Sequence, residues 1–359
     1  MNKHLRSIKQ TAVLVAVSWL AIPAFAGIGG LVDAQVGGAQ NISPTPDTNL
    51  NSQIADAAVY LSKELGNDKL MIDIPFSYRA DNVDQTQNAL FAAAFRSFNT
   101  KAQAHISWAY DFGLSWTLGR FDSPFLNEAN DTVGLGPYAT QGAIFATLPR
   151  MHNGLMLTYG QGPVTVMGLA SRPGGLVATP TGTTTANARP NNERLEYGFL
   201  GKYTHDMGYL GAGLYLHKPG TLANAETHSI IEVMAGTKMS DWTIDAQALF
   251  TKVAATPAAD SGFAIGGTIN YNWDKMWAIG VRPNYLSKVG SNDMDIDPAP
   301  EWHTTNGAHS TLEVTVGPQA TMTDDLRLRA NYTWTSTKAT ANATSQSSSA
   351  YTLSAVYKF

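Results

Sequence analysis

The chain has 359 residues, with 28 acidic and 24 basic side chains and a formal charge of -4, a balance that argues against nucleic acid as a partner. It has no cysteine, so neither disulfides nor thiolate metal sites can organise it. Beyond the first residues nothing approaches the roughly 20 consecutive apolar residues of a membrane helix. Yet 32 glycines, 10% aromatics, 14% charged residues and a mean hydropathy of -0.13 are the average expected where every second residue faces lipid and the rest face water.

Lys3, Arg6 and Lys9 precede an apolar run from Thr11 to Leu20 and a small-residue site at Ala24-Phe25-Ala26, the layout of a secretory signal peptide over 1–26. Its removal takes three cations and no acid, so the formal charge moves to about -7. Residues 27–51 are rich in Gly, Asn, Ser, Thr and Pro and are expected to be a periplasmic lead-in without firm structure. From 52 to 359 the chain reads as one transmembrane β-barrel. Ile54 to Lys63 is the weakest segment and fits a strand or a helix. Leu70, Ile72, Ile74, Phe76 and Tyr78 then alternate with Asp73, Ser77 and Arg79, a two-faced strand. Phe91 to Arg96 alternates less cleanly. Ile106, Trp108 and Tyr110 oppose Gln103, His105 and Ser107, and a tight turn at Asp111 to Gly113 follows.

Leu114, Trp116 and Leu118 alternate with Ser115, Thr117 and Gly119 until Arg120 breaks the pattern. Phe121 to Thr147 has no clear periodicity, and a connection that long is usually functional or disordered. It carries Asp122, Glu128 and Asp131, with Arg120 and Arg150 at its ends, and these five are the candidate constriction residues. Beyond it, the same alternation recurs from Leu155 to Trp334, interrupted by a Gly/Pro/Thr-rich loop at Ser171 to Asn192. The candidates number sixteen if Ile54 to Lys63 is included, and an even number suits a closed antiparallel barrel. Tight turns such as His205 to Gly208 and Met239 to Asp241 alternate with long connections such as Ser287 to Ser310. That asymmetry places the Phe121 to Thr147 loop outside the cell, free to fold inward. Tyr351, Leu353, Tyr357 and the final Phe359 share one face, a pattern that resembles the C-terminal assembly signal of bacterial outer-membrane proteins and implies the barrel-assembly machinery as a partner.

The stretches Ala102 to Phe125 and Asn130 to Gly160 resemble the sixteen-stranded outer-membrane porins, most of all the DcaP-like branch. The likeness covers about Ile54 to Gly160 in some detail. The chain lacks that branch's N-terminal coiled-coil extension. The resemblance implies a bacterial outer-membrane homotrimer in contact with lipid, passing small hydrophilic solutes and ions. A substrate-specific channel of the same fold, for instance for small carboxylates, and a closed structural or adhesin-like barrel stay open as alternatives.

If the apolar faces meet lipid, Arg79, Arg96, Arg282, Arg327 and Arg329 form a basic lumen wall opposite the acidic loop, and opposed charges across a narrow gap set ion preference. The net charge points weakly to cations and the arginines to anions. The eight histidines are scattered without the nucleophile and acid of a hydrolase. His105 beside Ser107 is the one pairing to note. No phosphate loop or zinc motif occurs, and neither enzyme, metal nor cofactor is expected.

Overall fold

The computed structural model describes residues 27–41, 48–65, 68–75, 103–129, 133–145, 148, 151–173, 196–217, 227–254, 260–287, 310–338 and 344–359. Among these, sixteen strands run in chain order. They are β1 (Gly27–Asn41), β2 (Thr48–Leu65), β3 (Asp68–Pro75), β4 (Gln103–Ala109), β5 (Leu114–Asp122), β6 (Met151–Gln161), β7 (Val164–Pro173) and β8 (Glu196–His205), followed by β9 (Gly208–His217), β10 (Thr227–Met239), β11 (Trp242–Ala254), β12 (Asp260–Asn272), β13 (Trp277–Ser287), β14 (Ser310–Thr321), β15 (Leu326–Lys338) and β16 (Gln346–Lys358). Each pairs antiparallel with its neighbours in sequence, and β16 closes on β1.

The first strand corrects the expectation for 27–51. Within it, 27–41 is β1 and 48–51 is the start of β2. Its glycines and alanines look like loop composition, but a ladder is made by backbone groups. Under the glycines the two-residue period is intact: Val32 and Ala34 are exposed while Asp33 and Gln35 are buried. Asp33 accepts hydrogen bonds from Ser354 Oγ at 2.6 Å and Gln35 Nε2 at 2.9 Å, which fixes the β1–β16 seam from inside. Ile54 to Lys63 lies within β2, so it is strand. The expected strand at Phe91 to Arg96 lies outside the described residues, as does the signal peptide.

Short turns connect the strands at one end. Thr323 Oγ1 accepts from Asp325 N and Leu326 N, and Asp274 Oδ1 accepts from Met276 N and Trp277 N, so side chains satisfy backbone donors that the turns leave free. Gly162 holds φ of 57° and Ser240 of 50°, the left-handed geometry that tight hairpins require.

The outward faces are apolar and exposed, from Leu118 and Leu157 through Phe199, Ile231, Phe250 and Ile265 to Tyr332. A soluble protein does not leave so large a continuous apolar surface in water, and a barrel in lipid does. The inner face is polar only in part. Leu200, Tyr215, Ile230, Met234, Leu249, Ala264 and Leu286 point inward on β8 to β13 and are buried. What buries them is the connection between β5 and β6.

Candidate constriction of the barrel

That connection turns into the lumen from its first residue. Phe121 is inward and 3% exposed, with its ring 6.1 Å from His152. His152 Nε2 lies 3.0 Å from Ser123 Oγ and its Nδ1 3.0 Å from Ser171 Oγ. Ser171 Oγ donates to Glu196 Oε2 at 3.3 Å. Since Ser171 spends its proton on the carboxylate, its oxygen accepts from His152 Nδ1. This Ser–His–Ser–Glu chain joins the root of the loop to β6, β7 and β8. His152 is 0% exposed, so the array resembles a hydrolase relay without a path for substrate. The pairing of His105 with Ser107 does not form: His105 Nδ1 lies 3.3 Å from Arg120 O and Ser107 bonds Thr117.

Phe125 follows as an apolar anchor. Its ring lies against Gly198 and Gly213, where a Cβ would come within 2.8 and 2.9 Å of it. Tyr215 packs beside it at 5.5 Å between centroids. With Ala143, Ile144 and Leu148 from the returning limb, Phe125 covers the inward apolar patch. Gln247 Nε2 donates to Phe125 O at 3.2 Å and also to Glu232. Tyr209 OH contacts Asn127 Oδ1 at 2.6 Å and Asp245 Oδ1 at 2.8 Å, and Lys202 Nζ stands 3.9 Å over the Tyr209 ring.

Charge fixes the tip. Arg282 on β13 donates from Nη1 to Glu128 Oε2 at 3.1 Å and to Thr140 O at 2.6 Å, and from Nη2 to Thr315 Oγ1 at 3.4 Å. Its guanidinium stacks over Tyr138 at 4.7 Å. Glu128 Oε2 also accepts from Gly142 N at 2.8 Å. Glu313 Oε1 accepts from Ala143 N at 3.1 Å and Asn284 Nδ2 at 3.0 Å. Gln35 Nε2 donates to Ala139 O at 2.7 Å. A Cβ at Gly280 or Gly317 would collide with Tyr138 OH or Pro137 O, so small residues on β13 and β14 make room for the tip. Burial raises the Glu128 carboxyl above its ordinary value; Arg282 and the Gly142 N–H pull the other way without cancelling it.

The expected site residues therefore separate. Glu128, partly buried, meets the buried Arg282, and the pair pins the loop. Arg329 is 3% exposed and donates from Nε to Gln319 Oε1 at 3.4 Å; Arg327 lies two residues away on the same face by alternation. Arg120 departs from the expectation. Phe121 is inward, so Arg120 falls on the opposite face of β5 with exposed Leu118, and the constriction does not include it. Asp122 shares that face and is exposed. Asp131, Arg150, Arg79 and Arg96 lie outside the described residues. Tyr351, Leu353, Tyr357 and Phe359 all stand exposed on the outside, with Phe359 N donating to Gly30 O at 3.0 Å. Sequence reasoning missed Gln35, His152, Glu313 and Asn284, whose partners are far away in the chain.

Known proteins match this architecture. The solved outer-membrane channel DcaP of Acinetobacter baumannii is 13% identical, with a TM-score of 0.63, over 93% of this chain and 96% of that one. The anion-selective porin from Comamonas acidovorans is 13% identical with a TM-score of 0.61, over 93% and 99%. OmpT of Vibrio cholerae, also solved in a trimer form, is 12% identical in that form with a TM-score of 0.57, over 93% and 99%. At such identity the likeness is one of fold. No curated protein matches by sequence. The family model for beta-barrel porin-2, OmpL-like, matches residues 27–359, beginning at the first residue of β1, and the chain belongs to this family of outer-membrane β-barrel porins.

Proposed function

We propose that the protein is a passive diffusion channel for small hydrophilic solutes and ions, narrowed by the segment from Ser123 to Leu148. One observation carries the reading: this segment is bonded to the inner wall by buried side chains of β1, β11, β13 and β14, while the outer surface is apolar and exposed. A loop held inside an aqueous barrel leaves a gap whose width and wall charges set what passes.

General diffusion is favoured over a carboxylate-specific site because Arg282, an inward cation beside the loop tip, is already engaged by Glu128 and Thr140 O. The working unit is proposed to be a homotrimer, as the trimer form of the Vibrio cholerae protein suggests. The outward aromatic face of β16 would be the part read by the barrel-assembly machinery.

Single-channel recording in a planar bilayer tests this. The expected result is open-pore conductance closing in three equal steps, with a larger unit conductance once Arg282→Ala frees the tip. Absence of conductance from folded protein would overturn the reading and leave a closed structural barrel.

A further inference from the structure

Two opposite charges on the inner wall stand near each other without pairing, and one tyrosine separates them. Lys202 on β8, Tyr209 on β9 and Asp245 on β11 all point into the barrel and are half-buried. Tyr209 lies against β10 where the strand has a glycine: a Cβ at Gly236 would collide with the ring and with Asp245 Oδ1. Lys202 Nζ stands 3.9 Å from the centre of the ring, while the hydroxyl reaches Asp245 Oδ1 at 2.8 Å. Arg282 and Glu128, by contrast, meet directly at 3.1 Å.

Neither charge is neutralised within the chain. Among the described residues no carboxylate pairs with Lys202 and no cation with Asp245. The Tyr209 hydroxyl has one proton for the oxygens of Asn127 and Asp245, and Thr268 Oγ1 is 3.5 Å from Asp245 Oδ2, at the outer limit of a hydrogen bond. The carboxylate therefore keeps acceptor capacity, and the ammonium has a ring face where an acceptor would stand.

Sign decides what fits this pair. A small anion drawn to Lys202 meets the Asp245 charge one ring away, and a small cation drawn to Asp245 meets Lys202. A solute that carries both an ammonium and a carboxylate complements both charges. Asn127 brings an amide of the loop to the same place, so the pair sits where the loop narrows the lumen.

We infer that Lys202, Tyr209 and Asp245 form a contact site for small zwitterionic solutes, with Lys202 taking the carboxylate and Asp245 the ammonium. The inference rests on the channel reading and gives that channel a preference.

The test is osmotic swelling of proteoliposomes holding the folded protein, with free glycine as the zwitterion and glycolamide as a neutral solute of similar size. The ratio of the glycine rate to the glycolamide rate is expected to fall about threefold in Lys202→Gln and in Asp245→Asn, within the worth of an exposed ion pair. Asp245→Asn keeps an oxygen for the Tyr209 hydroxyl, so the wall is preserved. Wild type gives a second reading without a variant: free glycine should reduce the single-channel potassium chloride current in a concentration-dependent way, and glycolamide should not. Equal ratios in wild type and both variants would overturn the proposal. So would a fall in Lys202→Gln alone, which would mark an anion site, or in Asp245→Asn alone, which would mark a cation site. Glycolamide entry without any preference for glycine removes the site and leaves the channel standing, whereas entry of neither solute removes the channel and the site with it.

Discussion

The wall formed by β8 to β14 and the wall formed by β4 and β5 are built from the same alternating pattern, yet their inner faces differ. The first carries Glu232, Gln247, Arg282, Asn284, Glu313 and Thr315, all buried, and glycines at 198, 213, 280 and 317 that admit the loop. The second presents Ser107, Ser115 and Thr117, half-buried, with Ser107 Oγ and Thr117 Oγ1 3.0 Å apart. The difference teaches that charge in a pore does not always face the solute. On the first wall the ionised groups are spent holding a segment of the chain, and on the second hydroxyls are left for water.

Breaking the charged wall should have the largest effect. Arg282→Ala leaves Glu128 buried without its cation, which typically costs about 3–5 kcal/mol. Because the chain has no cysteine, a spin label on Thr140→Cys reports the tip directly, and in Arg282→Ala its spectrum should become that of a mobile loop. An immobile label would show that the apolar anchor alone suffices. Phe125→Ala tests that anchor. Loss of a buried aromatic seated in a glycine notch should cost about 3 kcal/mol, read as a lower unfolding midpoint and a mobile label near the loop root.

Glu128→Gln should be milder, about 1 kcal/mol, since an amide oxygen still accepts from Arg282 and Gly142. The same carboxyl has a pH signature. Its value in the docked loop lies above the ordinary 4.5, so the docked state holds the proton more tightly than a free loop. Docking should therefore strengthen as pH falls from the raised value through the ordinary carboxylate range, and stay level above it. A Thr140→Cys label that loosens on acidification would contradict this. The smallest structural effect belongs to the hydroxyl wall: Thr117→Arg should leave the label and the unfolding midpoint within about 0.5 kcal/mol of wild type. It should nevertheless move the reversal potential towards anions, which would sharpen the contrast by showing that β5 borders the open gap.

How far these features could be read from the sequence follows from the distance over which each is determined. Outward faces were legible because lipid imposes an apolar residue at every second position, as in Phe263, Ile265 and Ile269. The period was also present in β1, in Val32 and Ala34 against Asp33 and Gln35, but glycine and alanine masked it. Arg120 was misplaced although the pattern itself held the answer. Leu114, Trp116, Leu118 and Arg120 share one parity, and the strand runs on past the charge to Asp122. The even number of strands holds among the described residues with β1 as a member that its composition hides. The loop's contacts were illegible for another reason. Glu128 and Arg282 are 154 positions apart, and Ala143 and Glu313 are 170 apart. No local period encodes such partners.

The seam between β1 and β16 has a consequence in time. Ser354 and Asp33 meet across 321 positions, and every pairing from Leu31↔Lys358 to Asn41↔Ser348 must wait until both strands are present. Until then β1 and the growing edge both offer unpaired backbone groups to any other strand nearby, and closure over so long a separation is intrinsically slow. The most exposed period in the life of this molecule is thus the interval before its last strand meets its first, and a carrier that shields both edges would protect it better than any added strength in the finished barrel.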